Sequence, residues 1–130
     1  MIDPYNLVLE FHSLFGLPVL GSPQFPESAR RELRIKLIKE ELEEFLVAEG
    51  ANDLIEVADA LADLVYVIYG AALEYGIDLR KVLKEVHRSN MSKVFPDGSV
   101  RYREDGKVLK PDSYSPADLK SVLFPIDTEP

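Results

Sequence analysis

The chain has 130 residues, 46% of them hydrophobic, and no cysteine, so one domain-sized core can form without disulfides and thiolate metal sites are excluded. Its net charge of -8, from 23 acids against 15 bases, argues against a nucleic-acid partner but not against an anionic small substrate, because divalent cations reverse the local sign. The first residues lack the basic start and apolar run of a signal peptide, and the longest uncharged apolar stretch, Leu64 to Leu73, falls short of the roughly 20 residues that span a bilayer; a soluble, cytoplasmic protein is expected, with no membrane partner.

Asp3-Pro4 predicts a helix start, with a capping residue followed by proline at the first helical position. Leu7, Val8, Phe11, Leu14 and Phe15 follow at helical spacing until Gly16. Pro18, Gly21, Pro23 and Pro26 punctuate a loop. A second helix is predicted from about 27 to 49, ending at Gly50. Asp53 caps a third that runs to about Tyr75, and Asp78 caps a fourth that reaches roughly Asn90. Pro96-Asp97-Gly98 and Asp105-Gly106 are turn signals flanking Val100-Arg101-Tyr102-Arg103 and Lys107-Val108-Leu109-Lys110, which reads as a β-hairpin. Ser115-Pro116 predicts the start of a short last helix through Leu119. The expectation is one all-α domain over 1–130: a bundle of about four main helices, with a helical core about 3–93. A small C-terminal hairpin and short helix follow at about 95–123.

The third helix carries acids where a core is expected. Leu54, Ile55, Val57, Ala58, Leu61, Ala62, Leu64, Val65, Ile68, Ala72 and Leu73 surround most of its circumference. Glu56, Asp59, Asp63 and Glu74 share a band about 60° wide on a helical wheel. No lysine or arginine occurs between Asp53 and Leu79. On the second helix, Lys36, Lys39 and Glu43 make a solvated face, whereas Glu41 and Glu44, three residues apart, lie beside Leu33 and Leu37. Folding the two helices about Gly50-Ala51-Asn52 brings residues equidistant from the turn level. Glu44 then lies level with about Ala58 or Asp59, and Glu41 with about Leu61.

Carboxylates crowded in this way repel by roughly 4 kcal/mol per pair at 4 Å and an effective dielectric near 20. Protonation, basic partners or a cation must relieve them. An all-oxygen cluster suits Mg²⁺ or Mn²⁺. Two plainer readings stand beside this one. Asp53 and Glu56 resemble a capping box, and Glu40 to Glu44 resemble a solvated run paired with Lys36 and Lys39. They leave Asp59 and Asp63 unexplained, since no base lies within reach on their own helix.

Glu40-Glu41-Leu42-Glu43-Glu44, matching E-E-x-x-E, and Glu56-Val57-Ala58-Asp59, matching E-x-x-D, are similar to the signature of the MazG-like all-α nucleoside triphosphate pyrophosphohydrolases. That group includes dimeric dUTPases and phosphoribosyl-ATP pyrophosphohydrolase. Val86-His87-Arg88-Ser89-Asn90-Met91-Ser92-Lys93, then Asp97-Gly98 and Glu104-Asp105-Gly106-Lys107-Val108-Leu109-Lys110, resemble the tail of a subgroup labelled phosphoribosyl-ATP pyrophosphohydrolase-like. The resemblance covers about residues 5 to 120.

It implies a bundle completed by dimerisation, as a homodimer or dimer of dimers, and Mg²⁺-dependent cleavage of a nucleoside triphosphate to monophosphate and pyrophosphate. Glu41, Glu44, Glu56 and Asp59 would be metal ligands. Asp63 would replace Asp59 or support it. Glu40 would orient or deprotonate water, with Glu41, or bind a further ion. Asn90 and Lys93 are candidate phosphate contacts, joined by Lys107 and Lys110 on the hairpin; Tyr66 would stack on a base or pack in the core. The substrate expected is dUTP or a non-standard nucleotide removed in house-cleaning. The alternatives are phosphoribosyl-ATP, or a metal-binding or protein-interaction module without turnover. Glu-x-x-His pairs are absent, which excludes a four-helix di-iron site. Gly106-Lys107 lacks the rest of a P-loop.

Overall fold

The structure is a computed structural model that describes residues 2–126. Its helices are α1 (Pro4–Phe15), α2 (Ser28–Gly50), α3 (Leu54–Glu74), α4 (Leu79–Met91) and α5 (Leu119–Leu123). Local chemistry explains the boundaries. The Asp3 side chain accepts from Tyr5 N at 3.0 Å, proline opens α1, and Gly16 closes it at φ 67° while donating to His12 O. The Asp53 carboxylate accepts from Glu56 N at 3.2 Å at the start of α3. Between α2 and α3 the reversal uses Asn52 at φ 55°, a left-handed conformation that asparagine tolerates.

The chain folds as two compact units, one up to Leu79 and one from Arg80 onward. In the first, α3 packs against both α2 and α1. Its core joins Val8 of α1 to Tyr69 and Leu73 of α3, with Tyr5, Leu9 and Leu79 against them. Among the described residues the architecture is all-α, as expected. The expected burial of α3 on nearly every side is corrected: Leu54, Ile55, Leu61, Val65 and Ile68 are exposed in the single chain, because α1 and α2 cover only part of the helix.

A charged knot binds the three helices. Glu74 is fully buried and receives Arg30 through Nε at 2.7 Å and Nη2 at 2.8 Å, and Arg34 through Nη1 at 3.1 Å. Arg34 also donates to Val67 O at 2.8 Å. Gly70 makes room for it: a Cβ there would overlap Arg34 Nη2 and lie 3.1 Å from His12 Nε2. His12 is buried with Nδ1 3.0 Å from Pro18 O, so its role is internal. Burial, first, holds its pKa below the ordinary value. Glu74 therefore leaves the acidic band read from the wheel; its counter-charges come from α2.

The second unit differs from expectation in two places. The turn at Asp105-Gly106 forms, with Gly106 N donating to Arg103 O and Arg103 N to Lys107 O. However, only an isolated antiparallel bridge, Tyr102 to Val108, replaces the expected hairpin strands among the described residues. These short charged segments are exposed on both sides, so no buried face extends the pairing. The last helix begins at Leu119, where it was expected to end. Ser115 does not cap it, because its N–H donates to Ser92 Oγ at 2.8 Å and its hydroxyl accepts from Arg88. Asp118 caps instead, accepting from Ser121 N at 3.1 Å.

Candidate metal centre

The α2–α3 seam brings Glu41, Glu44 and Asp63 together, each offering a carboxylate oxygen, all within 4.8 Å of one another. Glu41 and Glu44 are successive positions on one face of α2. Asp63, not Leu61, stands opposite Glu41. Side chains lean toward the N-terminus of their own helix, so Glu41 reaches away from the turn, toward higher numbers on α3. Asp59, one turn before Asp63, is hydrogen-bonded to it. Glu56 lies outside the three-residue cluster and lines an adjoining cleft of about 680 Å³ with Glu40, Glu44, Asp59, Val47 and Ala60.

Like charges crowd in the cluster. Two charges 4.8 Å apart repel by roughly 3 kcal/mol at an effective dielectric near 20, before solvent screening at the exposed Glu44. Burial, then a hydrogen bond with Glu44, then the charges of Asp63, Glu44 and Asp59 push the Glu41 carboxyl up to about 7. Asp63 is raised as well, by burial and then by Asp59 and Glu44. Arg30 and Arg34 of α2 are committed to Glu74. Glu41 Oε2 is buried with no hydrogen-bond partner. A buried carboxyl oxygen left without a hydrogen-bond partner is costly. Hard oxygen donors converging on such an atom fit a divalent cation of the Mg²⁺ or Mn²⁺ type.

The remaining sequence candidates are distributed as follows. Tyr66 packs edge-on against Phe11, ring centroids 5.6 Å apart, and keeps partial exposure. Asn90, Lys93, Lys107 and Lys110 belong to the second unit; Asn90 lies within the last turn of α4. The pairing of Arg34 with Glu74 had no local signal, because the two are 40 residues apart. In the second unit the Tyr114 hydroxyl accepts from buried Ser89 Oγ at 3.1 Å.

The sequence profile of the family described as phosphoribosyl-ATP pyrophosphohydrolase matches residues 8–90, a span that contains every acid of the cluster. The chain belongs to this family. Phosphoribosyl-ATP pyrophosphohydrolases fall within the MazG-like all-α nucleoside triphosphate pyrophosphohydrolase superfamily. Membership suggests a hydrolase acting on a nucleotide phosphoanhydride. The chain is also 40% identical over 79 residues to an uncharacterized protein of Acanthamoeba polyphaga mimivirus; the match covers 58% of this chain and 32% of that protein. The chain thus spans about a third of that curated relative's length. No described helix is long and apolar enough to cross a membrane.

Proposed function

We propose that this family member is a Mg²⁺- or Mn²⁺-dependent nucleoside triphosphate pyrophosphohydrolase that cleaves between the α- and β-phosphates. The observation that carries the reading is the trio Glu41, Glu44 and Asp63 with its unpartnered buried oxygen. These three would hold the ion, with Asp59 hydrogen-bonded behind Asp63 and Glu56 at the cleft wall. When bound, the ion supplies neutralisation of triphosphate oxygens and a lowered pKa for water.

Glu40 is exposed on the same cleft and is the general base. It takes a proton from water while the water oxygen bonds to the α-phosphorus. The bond from that phosphorus to the α–β bridging oxygen breaks, and pyrophosphate leaves with the electron pair. Glu41 and Asp63 keep their oxygens converged, Glu41 by virtue of a backbone fixed between the Arg34–Glu74 knot and the Asp53 cap. Lys93, Lys110, Asn90 and Lys107 are proposed contacts for phosphate oxygens, and Tyr66 a platform for the base.

Exposed Leu42 and Leu46 on α2 and Leu54, Ile55, Leu61 and Val65 on α3 support assembly into a homodimer or dimer of dimers, since such a surface is unusual on a monomer. Ile55→Glu, tested by sedimentation, would then lower the mass of the particle. The substrate proposed is dUTP or a non-standard nucleotide, in a cytoplasmic house-cleaning role. Phosphoribosyl-ATP is the second reading, favoured by the description of the matching family.

The test is pyrophosphate release across standard, deoxy and damaged nucleotides plus phosphoribosyl-ATP, with Mg²⁺ or Mn²⁺ titrated. Turnover of one nucleotide group with metal dependence is expected. Metal binding without release from any of them would instead leave a binding module.

A further inference from the structure

α1, α2 and α3 meet where His12, Arg34 and Gly70 converge. His12 is 2% exposed, and its Nδ1 lies 3.0 Å from Pro18 O. A carbonyl only accepts, so Nδ1 carries a proton and Nε2 is the bare nitrogen of the neutral ring. Nε2 faces Gly70 beside the Arg34 guanidinium: a Cβ at Gly70 would lie 3.1 Å from Nε2 and overlap Arg34 Nη2. The charged groups around the ring are Arg30 and Arg34 of α2 and Glu74 of α3. Glu27, at the α2 N-cap, faces Arg30.

Among the described residues, acceptors are already short at this junction. Both Glu74 oxygens accept from arginine, Val67 O accepts from Arg34 Nη2, and Arg34 Nε is buried with no hydrogen-bond partner. A proton on Nε2 would add one more donor, and a positive charge beside two guanidinium groups that share one carboxylate. The charged ring is therefore stable only where water reaches it.

The partner of Nδ1 belongs to a surface segment, residues 17–26, in which Val19, Gly21, Ser22 and Phe25 are exposed. Few bonds strap it down. Leu17 N donates to His12 O at 2.8 Å, and Leu20 N and Gln24 N donate to Leu73 O and Tyr75 O, each at 3.0 Å. Ser22 O sits so close to Gly76 that a Cβ there would overlap it. Strap and knot together line a cleft of about 270 Å³, through Pro18, Leu20, Phe25, Arg30 and Glu74.

We propose that His12 is a proton-operated latch: protonation at Nε2 drives the ring away from Arg34 and outward with Pro18, lifting residues 17–26 off the end of α3 while the α2–α3 seam stays packed. The Nδ1–H bond to Pro18 O strengthens when the ring is charged, so ring and strap move together. Leu20 and Gln24 then lose their bonds to Leu73 and Tyr75, and the cleft beside Glu74 opens to water. The open form binds a proton that the closed form excludes, so opening is favoured as pH falls below the ordinary histidine value of 6.5, by up to about tenfold per pH unit. The latch uses none of the acid trio.

Hydrogen exchange of the full chain, followed by NMR from about pH 8 to about pH 5 and corrected for intrinsic rates, reads the opening directly. Protection of the Leu20 and Gln24 amides should fall with pH, while the amide of buried Ala60 on the seam keeps its protection. In His12→Asn, which retains an N–H toward Pro18 O and cannot be protonated, the fall at Leu20 and Gln24 should vanish; comparison of the two proteins cancels every other titrating group. The chain has two histidines, so His87→Asn leaves His12 as the remaining imidazole signal, and its titration should coincide with the loss of protection. The wild-type and His87→Asn readouts decide the matter even if His12→Asn does not fold. Constant protection at Leu20 and Gln24, the same fall in His12→Asn, or an imidazole that titrates at or above the ordinary value would overturn the latch. Equal loss at Ala60 would overturn it too, as global unfolding.

Discussion

Replacing Gly70 by alanine should destabilise the protein, although the same exchange in an ordinary helix interior is stabilising by about 1 kcal/mol. The added methyl would overlap Arg34 Nη2 and lie 3.0 Å from Cζ and 3.1 Å from His12 Nε2. Arg34 must withdraw, which removes its bond to Val67 O and strains its contact with Glu74. Overpacking costs about 1–3 kcal/mol, and a hydrogen bond from a charged group contributes about 1.5–3 kcal/mol. Set against the propensity gain, the net loss is about 2–5 kcal/mol. Glu74 remains paired with Arg30, so the variant should still fold. Gly50→Ala is the control: nothing lies within 4 Å of its added Cβ, and it should be neutral or slightly stabilising. Urea unfolding followed by circular dichroism measures both. A Gly70→Ala protein as stable as Gly50→Ala would refute the packing of Arg34 against Gly70 and with it the three-helix knot.

Glu41→Gln and Asp63→Asn should each reduce pyrophosphate release at least about 100-fold without loss of helix, because each removes an anionic ligand; retained turnover in either would exclude that residue from the centre. Asp59→Asn, which alters a partner of Asp63 and not a member of the trio, should cost about 10–100-fold, the usual range for outer partners of a metal ligand. In metal-free buffer the sign reverses for stability. The folded Glu41 carboxyl, raised to about 7, lies above its unfolded value, so its contribution is complete below about pH 4.5 and is lost as pH rises through 7. The stability advantage of Glu41→Gln over wild type should therefore grow across that window, and a pH-independent difference in urea midpoint would contradict it.

The helices were legible because their signals are local: an aspartate before proline, an aspartate three residues before a helical N–H, a glycine at positive φ. The coming together of acids from α2 and α3 was legible too, since a short turn sets which heights meet. Equal spacing from the turn put Glu41 level with about Leu61, and the lean of side chains along each helix carries its carboxylate to Asp63. Pairings set by distant packing left no such trace. Arg34 finds Glu74 across 40 residues, and Arg88 finds Ser115 across 27, so neither the knot nor the docked tail could be read from spacing. The alternating segments around Asp105-Gly106 had the turn residues of a hairpin but no apolar face to bury, and pairing stopped at one bridge.

Whether the α2–α3 acids hold a divalent ion is tested most directly by titrating Mn²⁺ into the metal-free protein and following the free ion by electron paramagnetic resonance. Saturable binding that disappears in both Glu41→Gln and Asp63→Asn is the predicted result. Binding that survives in both variants, or no binding by the wild type, would contradict the assignment of this seam as the metal centre.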